Sequence, residues 1–302
     1  MKNNDLTAPI AVVGATGNQG GQVARALLRA GHPVRALTRT PAGPRAAALA
    51  QLGATVVAAQ LENRASLEAA FDGAAGVFSV QNFWEVGRRE EVRLGGAVLD
   101  AARAAGGPHV VYSGGFGAER ARGVAAIDGK AEVAVALARS GLPFTILRPA
   151  LFMDDLLGAS LPFAPWLNRR LERYRRQVGH LFLAVLAAAF PPAARVPLTC
   201  LEDVGRTAAW AFAHPALSYG AQWDLVGSRE TVADVERAFS SASGDRARHW
   251  PGMALGLRVA HPEMAALVAF LARHPEGGTA APPMALQTLS EWLAAGRFPT
   301  GS

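Results

Sequence analysis

Residues 10–21 read IAVVGATGNQGG. An apolar run of strand character, Ile10 to Val13, passes through Gly14, Gly17 and Gly20 into a segment with helical spacing, Gln19 to Ala30. Each glycine in this GxxGxxG spacing has a physical reason. The first lets the chain turn tightly off the strand, the second lets backbone approach a pyrophosphate, and the third lets helix and strand pack closely. The helix start then presents free N–H groups and a positive dipole end to phosphates. A strand, this turn and a helix in the first βα unit predict dinucleotide binding, with Thr16, Asn18 and Gln19 joining the glycines as contacts.

Outward from this unit the alternation repeats. Strands are predicted at Ile10 to Val13, Val34 to Thr38, Thr55 to Ala58, Gly76 to Val80, His109 to Ser113, Phe144 to Leu147 and Gln222 to Val226. Most are apolar without alternation, as parallel strands covered on both faces are. Between them, Gln19 to Ala30, Arg45 to Leu52, Ser66 to Phe71, Arg88 to Ala105 and Gly129 to Ser140 read as helices, which right-handed crossovers place on both sides of one sheet. After Pro149 the rhythm changes. Residues 151–197 carry many Pro and Arg residues and no clear strand, which predicts an inserted lobe or lid. Residues 202–212 and the strand ending at Val226 return to the sheet, and 232–298 is mainly helical with a Gly/Pro-rich break at 275–283. The expected fold is α/β: a Rossmann-type doubly wound parallel sheet in residues 1–150, completed by about 198–228, and a smaller, mainly helical lobe from 151–197 and 229–302.

Composition narrows the function. Of 302 residues, 50% are hydrophobic and 18% charged, enough to bury a core. The net charge of +6 is dispersed except at Arg169, Arg170, Arg173, Arg175 and Arg176, which on a helix point several ways and read as a solvated helix or lid. No nucleic-acid partner is expected. The most apolar stretch, Leu181 to Phe190, is far shorter than the roughly 20 residues that span a bilayer, and no membrane partner is expected either. Cys200 is the sole cysteine, so no intrachain disulfide or cysteine-based metal cage forms; with a polar Met1 to Pro9, this favours a reducing, cytoplasmic location. The histidines show no metal-ligand spacing, so no metal is expected, and residues 112–115 lack the GxSxG pattern of a hydrolase.

The second strand ends Leu37, Thr38, Arg39, Thr40, with no acid to accept a ribose 2′-OH. Arg39 instead suits a 2′-phosphate through charge-assisted hydrogen bonds, which favours NADP over NAD. Ligands sit at the carboxyl ends of parallel strands. Gln60 and Leu61 are therefore expected near adenine, and Val80, Gln81 and Asn82 near the ribose and nicotinamide. Phe83 and Trp84 form an aromatic pocket wall or simply cap the sheet.

With the runs NFWE (82–85), VVYSG (110–114), DGKAEV (128–133) and SGLPFTILRP (140–149) added to the turn, the chain resembles the NmrA-like family, atypical short-chain dehydrogenases/reductases that include NADPH sensors of the HSCARG type. The resemblance extends through GAQWDLVGSRETVADVERAF (220–239) to LQTLSEWLAAG (286–296); residues 161–194 look idiosyncratic. It implies that Ser113 stands where active enzymes hydrogen-bond a substrate carbonyl, and that Phe152, with Pro149 and Leu151, closes over the nicotinamide. It implies that Lys130 holds the nicotinamide ribose and assists a tyrosine four residues earlier. That position is Ala126. Alanine supplies no proton, and a positioned acid is worth about 10²–10⁴-fold in rate. Strand alternation points Tyr112 away from the site, and Asp128 would need a strongly raised pKa. The expected function is an NADP(H)-binding redox sensor or regulator with weak or no dehydrogenase activity. The alternative is an NADPH-dependent oxidoreductase acting on a quinone or small carbonyl compound. Its partner is a small-molecule substrate or a protein, and a homodimer stays open.

Overall fold

Alternate residues of each central strand enter different cores, and this two-sided burial organises the whole chain. The structure, a computed structural model, describes residues 7–120, 123–157, 175–246, 256, 258, 259 and 261–296. Its strands are β1 Ile10–Val12, β2 Val34–Thr38, β3 Thr55–Ala58, β4 Gly76–Ser79, β5 His109–Ser113, β6 Phe144–Pro149, β7 Leu151–Phe152, β8 Arg195–Thr199, β9 Gln222–Leu225 and β10 Ser228–Thr231. Its helices are α1 Asn18–Arg29, α2 Pro44–Gln51, α3 Arg64–Phe71, α4 Phe83–Ala104, α5 Ala125–Ala138, α6 Arg175–Ala189, α7 Leu201–Ala213, α8 Pro215–Ser218, α9 Val232–Ser243, α10 Pro262–Arg273 and α11 Leu289–Ala294.

The main sheet is seven-stranded and parallel, in the order β3-β2-β1-β4-β5-β6-β9. Strand order reverses between β1 and β4, which opens a crevice at their carboxyl ends. On one face Ala11, Val77, Val110 and Tyr112 meet Phe71 of α3, Val98 of α4 and Leu137 of α5. On the other, Val12, Phe78 and Val111 meet Leu27 of α1 and Val204 and Phe212 of α7. Helices α1 and α7 touch so closely that a Cβ on Gly205 would lie 2.6 Å from the Gln22 carbonyl oxygen.

The seven predicted strands and five predicted helices lie where the periodicity puts them, with shifted ends. Two starts differ by several residues. Helix α4 begins at Phe83, not Arg88, because its backbone breaks at Gly87 (φ 75°, ψ 172°) and residues 83–86 form a turn of their own. Helix α5 begins at Ala125, not Gly129; Val124 offers no side-chain cap, so nothing in the residue types marks the start.

Residues 151–197 do contain strands, which corrects the expectation of none. Strand β8 pairs antiparallel with β10 and parallel with β7, forming a second sheet in the order β10-β8-β7. Two residues are too few for β7 to show a period, and Pro197 demotes β8 on sequence grounds. That proline lies opposite Arg229 of β10, while on its other side β7 pairs only with Leu198 and Thr199 beyond it. Around this sheet, Leu183 and Leu186 of α6, Phe239 of α9, Leu271 of α10 and Trp292 of α11 build a third core. Arg169, Arg170 and Arg173 lie outside the described residues.

The Gly/Pro-rich break at 275–283 is fastened to the main sheet. The Asp224 carboxylate accepts from the Gly278 and Thr279 amides, both at 3.0 Å, and from Thr279 Oγ1 at 2.6 Å. The Asp224 amide donates to the Ala280 carbonyl at 2.9 Å.

His109 opens β5 with its Nε2 2.9 Å from Thr145 Oγ1. Burial lowers its pKa from 6.5 to about 4. The unfolded chain therefore takes up this proton first as pH falls, so stability is complete above pH 6.5 and declines toward pH 4. Urea unfolding at both limits is expected to show a loss of about 3 kcal/mol that is missing from a His109→Gln variant. Equal losses in both proteins would refute it.

Candidate cofactor-binding and active site

A cleft of about 700 Å³ opens over the carboxyl ends of the central strands. Its floor is the glycine turn. Gly14 takes φ +63°, and a Cβ on Gly20 would sit 2.3 Å from the Gly14 carbonyl oxygen, so α1 rests on the turn at a distance only glycine permits. Helix α1 has no side-chain cap at Gly17 and no acid in its first turn. Its leading N–H groups and dipole are thus left to face the cleft, where Thr16, Gly17, Asn18, Gln19 and Gly20 contribute to the lining.

At the β2 end, Thr16 Oγ1 lies 3.0 Å from Thr38 Oγ1, tying the turn to the neighbouring strand. Arg39 lines the cleft and is exposed, with Nη2 3.1 Å from Glu85 Oε2 at the start of α4. Arg45 lines it too and donates from Nη1 to the Thr16 carbonyl at 3.1 Å. After β3, Leu61 lines the cleft together with Ala59 and Glu62. Gln60 does not; its amide donates to Ser66 Oγ at 3.3 Å, which turns the backbone toward the start of α3.

Beyond β4, Val80, Gln81 and Asn82 all reach the cleft. Gln81 is buried, donating from Nε2 to Ser79 Oγ at 2.9 Å while its Oε1 has no partner. Asn82 caps α4 by accepting from the Trp84 amide at 3.2 Å. Phe83 and Trp84 pack edge to face at 5.1 Å and both line the wall.

The residues expected to carry chemistry divide. Ser113 is fully buried and donates to Gln19 Oε1 at 2.6 Å; it is not among the cleft-lining residues, which include Gly114 and Gly115 instead. Its hydroxyl is engaged with Gln19 and does not reach the cleft surface. Lys130 does reach the cleft, beside Ala126. Its Nζ donates to Glu91 Oε1 at 2.7 Å and to the Gln81 carbonyl at 3.4 Å. Glu91 is wholly buried, which raises its pKa against the opposing pull of Lys130. Tyr112 lies in the core on the α4–α5 side, its hydroxyl pKa raised by burial and by Glu91. Asp128 accepts from Arg88 Nη1 at 3.1 Å and from the Gly123 amide at 3.0 Å. Neither Tyr112 nor Asp128 lines the cleft.

Past β6 the walls are mainly apolar, with Asp155 the one acid among them. Pro149, Leu151 and Phe152 lead to Phe182 and Val185 of α6 and to Met264, Leu267, Val268 and Leu271 of α10. Cys200, at the start of α7, is buried with its thiol pushed up to about 12, which leaves it protonated and inert.

Sequence reasoning missed Arg45, Glu85 and Glu91. Arg45 reads only as a helix start. Glu91 closes the run Arg88-Arg89-Glu90-Glu91, where nothing in the residue types separates the one buried charge from its solvated neighbours.

The profile of the NmrA-like family matches residues 7–251. The NmrA-like family domain-containing oxidoreductase malD of Malbranchea aurantiaca is 33% identical over 267 residues, covering 80% of this chain and 74% of that one. FrzB of Cladobotryum sp, described in the same words, is 45% identical over 116 residues, 36% of this chain and 34% of its own, so that match spans about a third of the relative. Among solved structures, the NADPH-dependent quinone oxidoreductase QOR2 of Escherichia coli, complexed with NADPH, aligns with a TM-score of 0.69 at 22% identity over 96% of this chain and 99% of that one. At that identity the likeness is one of fold. The architecture is thus a Rossmann-type α/β sheet with a cleft at its switch point. The chain belongs to the NmrA-like family.

Among the described residues no helix is long and apolar enough to cross a membrane.

Gly20→Ala drives a methyl group onto the Gly14 carbonyl and is expected to cost about 1–3 kcal/mol in urea unfolding. Gly96→Ala, in mid-helix with nothing within 4 Å, is expected to stabilise by about 0.5–1 kcal/mol. Equal effects would refute the tight seat assigned to α1.

Proposed function

We propose that the protein binds NADP(H) in this cleft and uses it to reduce a flat, apolar acceptor of the quinone type. One observation carries the reading. The cleft runs from the uncapped start of α1 and two arginines, past a lysine, into a chamber walled by apolar side chains of β7, α6 and α10, with the Asp155 carboxylate beside them. A phosphorylated dinucleotide fits the first part and an apolar acceptor the second.

The residues suit the cofactor. The leading amides of α1 receive the pyrophosphate. Arg39 and Arg45 receive the 2′-phosphate, with no acid after β2 to repel it. Glu85 competes for Arg39, but an exposed pair of this kind is worth about 0–1 kcal/mol and yields to a phosphate. Lys130 is assigned the nicotinamide ribose, and Phe152 the closing wall. The bound cofactor supplies a hydride. Among the described residues the lining includes no tyrosine, histidine or cysteine, and Asp155 is the acid beside the apolar part; this suits an acceptor whose reduced oxygen is weakly basic and draws its proton from water. The name of the structurally similar quinone reductase and those of the curated oxidoreductases support the same class of chemistry.

A second reading, an NADP(H) sensor or regulator without turnover, is favoured by Ala126 in the proton-donor position and by the engagement of Ser113 with Gln19.

Calorimetry is expected to show NADPH binding more tightly than NADH. Arg39→Asp is expected to weaken NADPH binding about 10–100-fold, the value of a charged hydrogen-bonded contact, with little effect on NADH. Unchanged selectivity would remove the phosphate assignment. Absorbance at the NADPH band, followed with a panel of quinones and aldehydes, decides between the readings: consumption with quinones supports the reductase, and tight binding without consumption supports the sensor.

A further inference from the structure

Lysine is rare in this chain. Lys2 and Lys130 are its only lysines, against 28 arginines, and Lys130 is the one among the described residues. An arginine is a fixed planar fork, whereas an ammonium is a compact charge with three donors that rotate freely. Two of those donors are engaged, with Glu91 Oε1 at 2.7 Å and the Gln81 carbonyl at 3.4 Å. The third is left for whatever occupies the cleft that Lys130 lines.

Glu91 has no exposure, and its Oε2 has no partner. Such a buried carboxylate is costly to keep unless its charge is matched. Close packing limits what matches it. A Cβ on Gly129 would stand 2.7 Å from Oε2, so the carboxylate is held against the backbone of α5 at a distance only glycine allows. The other charged groups nearby are committed elsewhere: Arg88 of α4 pairs with Asp128 and Glu132 of α5, at 3.1 and 2.6 Å. Tyr112 of β5 is neutral and buried.

We propose that Glu91 is a positioning residue, which pins the Lys130 ammonium at the cleft wall so that its remaining N–H faces the ligand. Gly129 makes that hold possible by leaving room for the carboxylate. The inference rests on the reading of the cleft as a cofactor and acceptor site, and it deepens that reading by adding a residue that touches neither ligand.

Competitive acetylation with acetic anhydride tests it, because Lys2 serves as an internal reference in the same chain. Full-length protein is acetylated at fixed pH and the two lysine-containing peptides are quantified by mass spectrometry. A neutral amide cannot hold the ammonium as a carboxylate does, so Glu91→Gln is expected to raise the reactivity of Lys130 relative to Lys2 about tenfold. Gly129→Ala, which displaces the carboxylate without removing it, is expected to raise it in the same direction and covers the case in which Glu91→Gln does not fold. The same ratio as the parent in the folded variants would overturn the proposal. NADPH calorimetry on the parent separates this from the cofactor reading. Absent binding defeats that reading while the acetylation ratio still decides the Glu91 role; normal binding with an unmoved ratio defeats the Glu91 proposal alone.

Discussion

The seat of α1 on the turn that follows β1 is the constraint from which the rest of the site follows. Because the Gly20 α-carbon lies against the Gly14 carbonyl, the axis of α1 is fixed relative to the sheet and its start faces the crevice. That placement brings Gln19 to Ser113 across the switch point. It also sets the surface on which α7 packs, at the equally close approach of Gly205 to Gln22. A looser helix would lose the phosphate-facing amides, the Gln19 hydrogen bond and one face of the core together.

This explains what was legible in the residues. Strands buried on both faces and amphipathic helices leave strong periodicities, so the seven parallel strands follow from apolar runs, while their order is given only by the structure. The glycine turn and Arg39 were readable because their chemistry is local. The second sheet was not, since β7 is two residues long and β8 carries Pro197. Gln60 and Ser113 illustrate a different limit. Their place at strand ends was readable, but the direction of each polar group is set by Ser66 and Gln19, partners 6 and 94 residues away.

Charge distribution within the site follows a division of labour between exposed and buried pairs. Arg39 and Glu85 meet in solvent, where their attraction is weak and easily exchanged for that of a ligand. Lys130 and Glu91 meet in the interior, where removing either partner strands the other. The exchangeable pair stands at the outer rim of the cleft and the committed pair at its inner wall. Burial thus decides which charges are adjustable.

The clasp between Asp224 and residues 278–280 bears on the order in which the chain assembles. Strand β9 forms the edge of the main sheet, and its outer side is met by a segment more than fifty residues later. During synthesis all seven strands of that sheet emerge and can pair while that edge has no cover. The last quarter of the polypeptide therefore acts as a seal on a sheet assembled before it, and a ribosome that stalls short of residue 280 releases a product with an open, adhesive border.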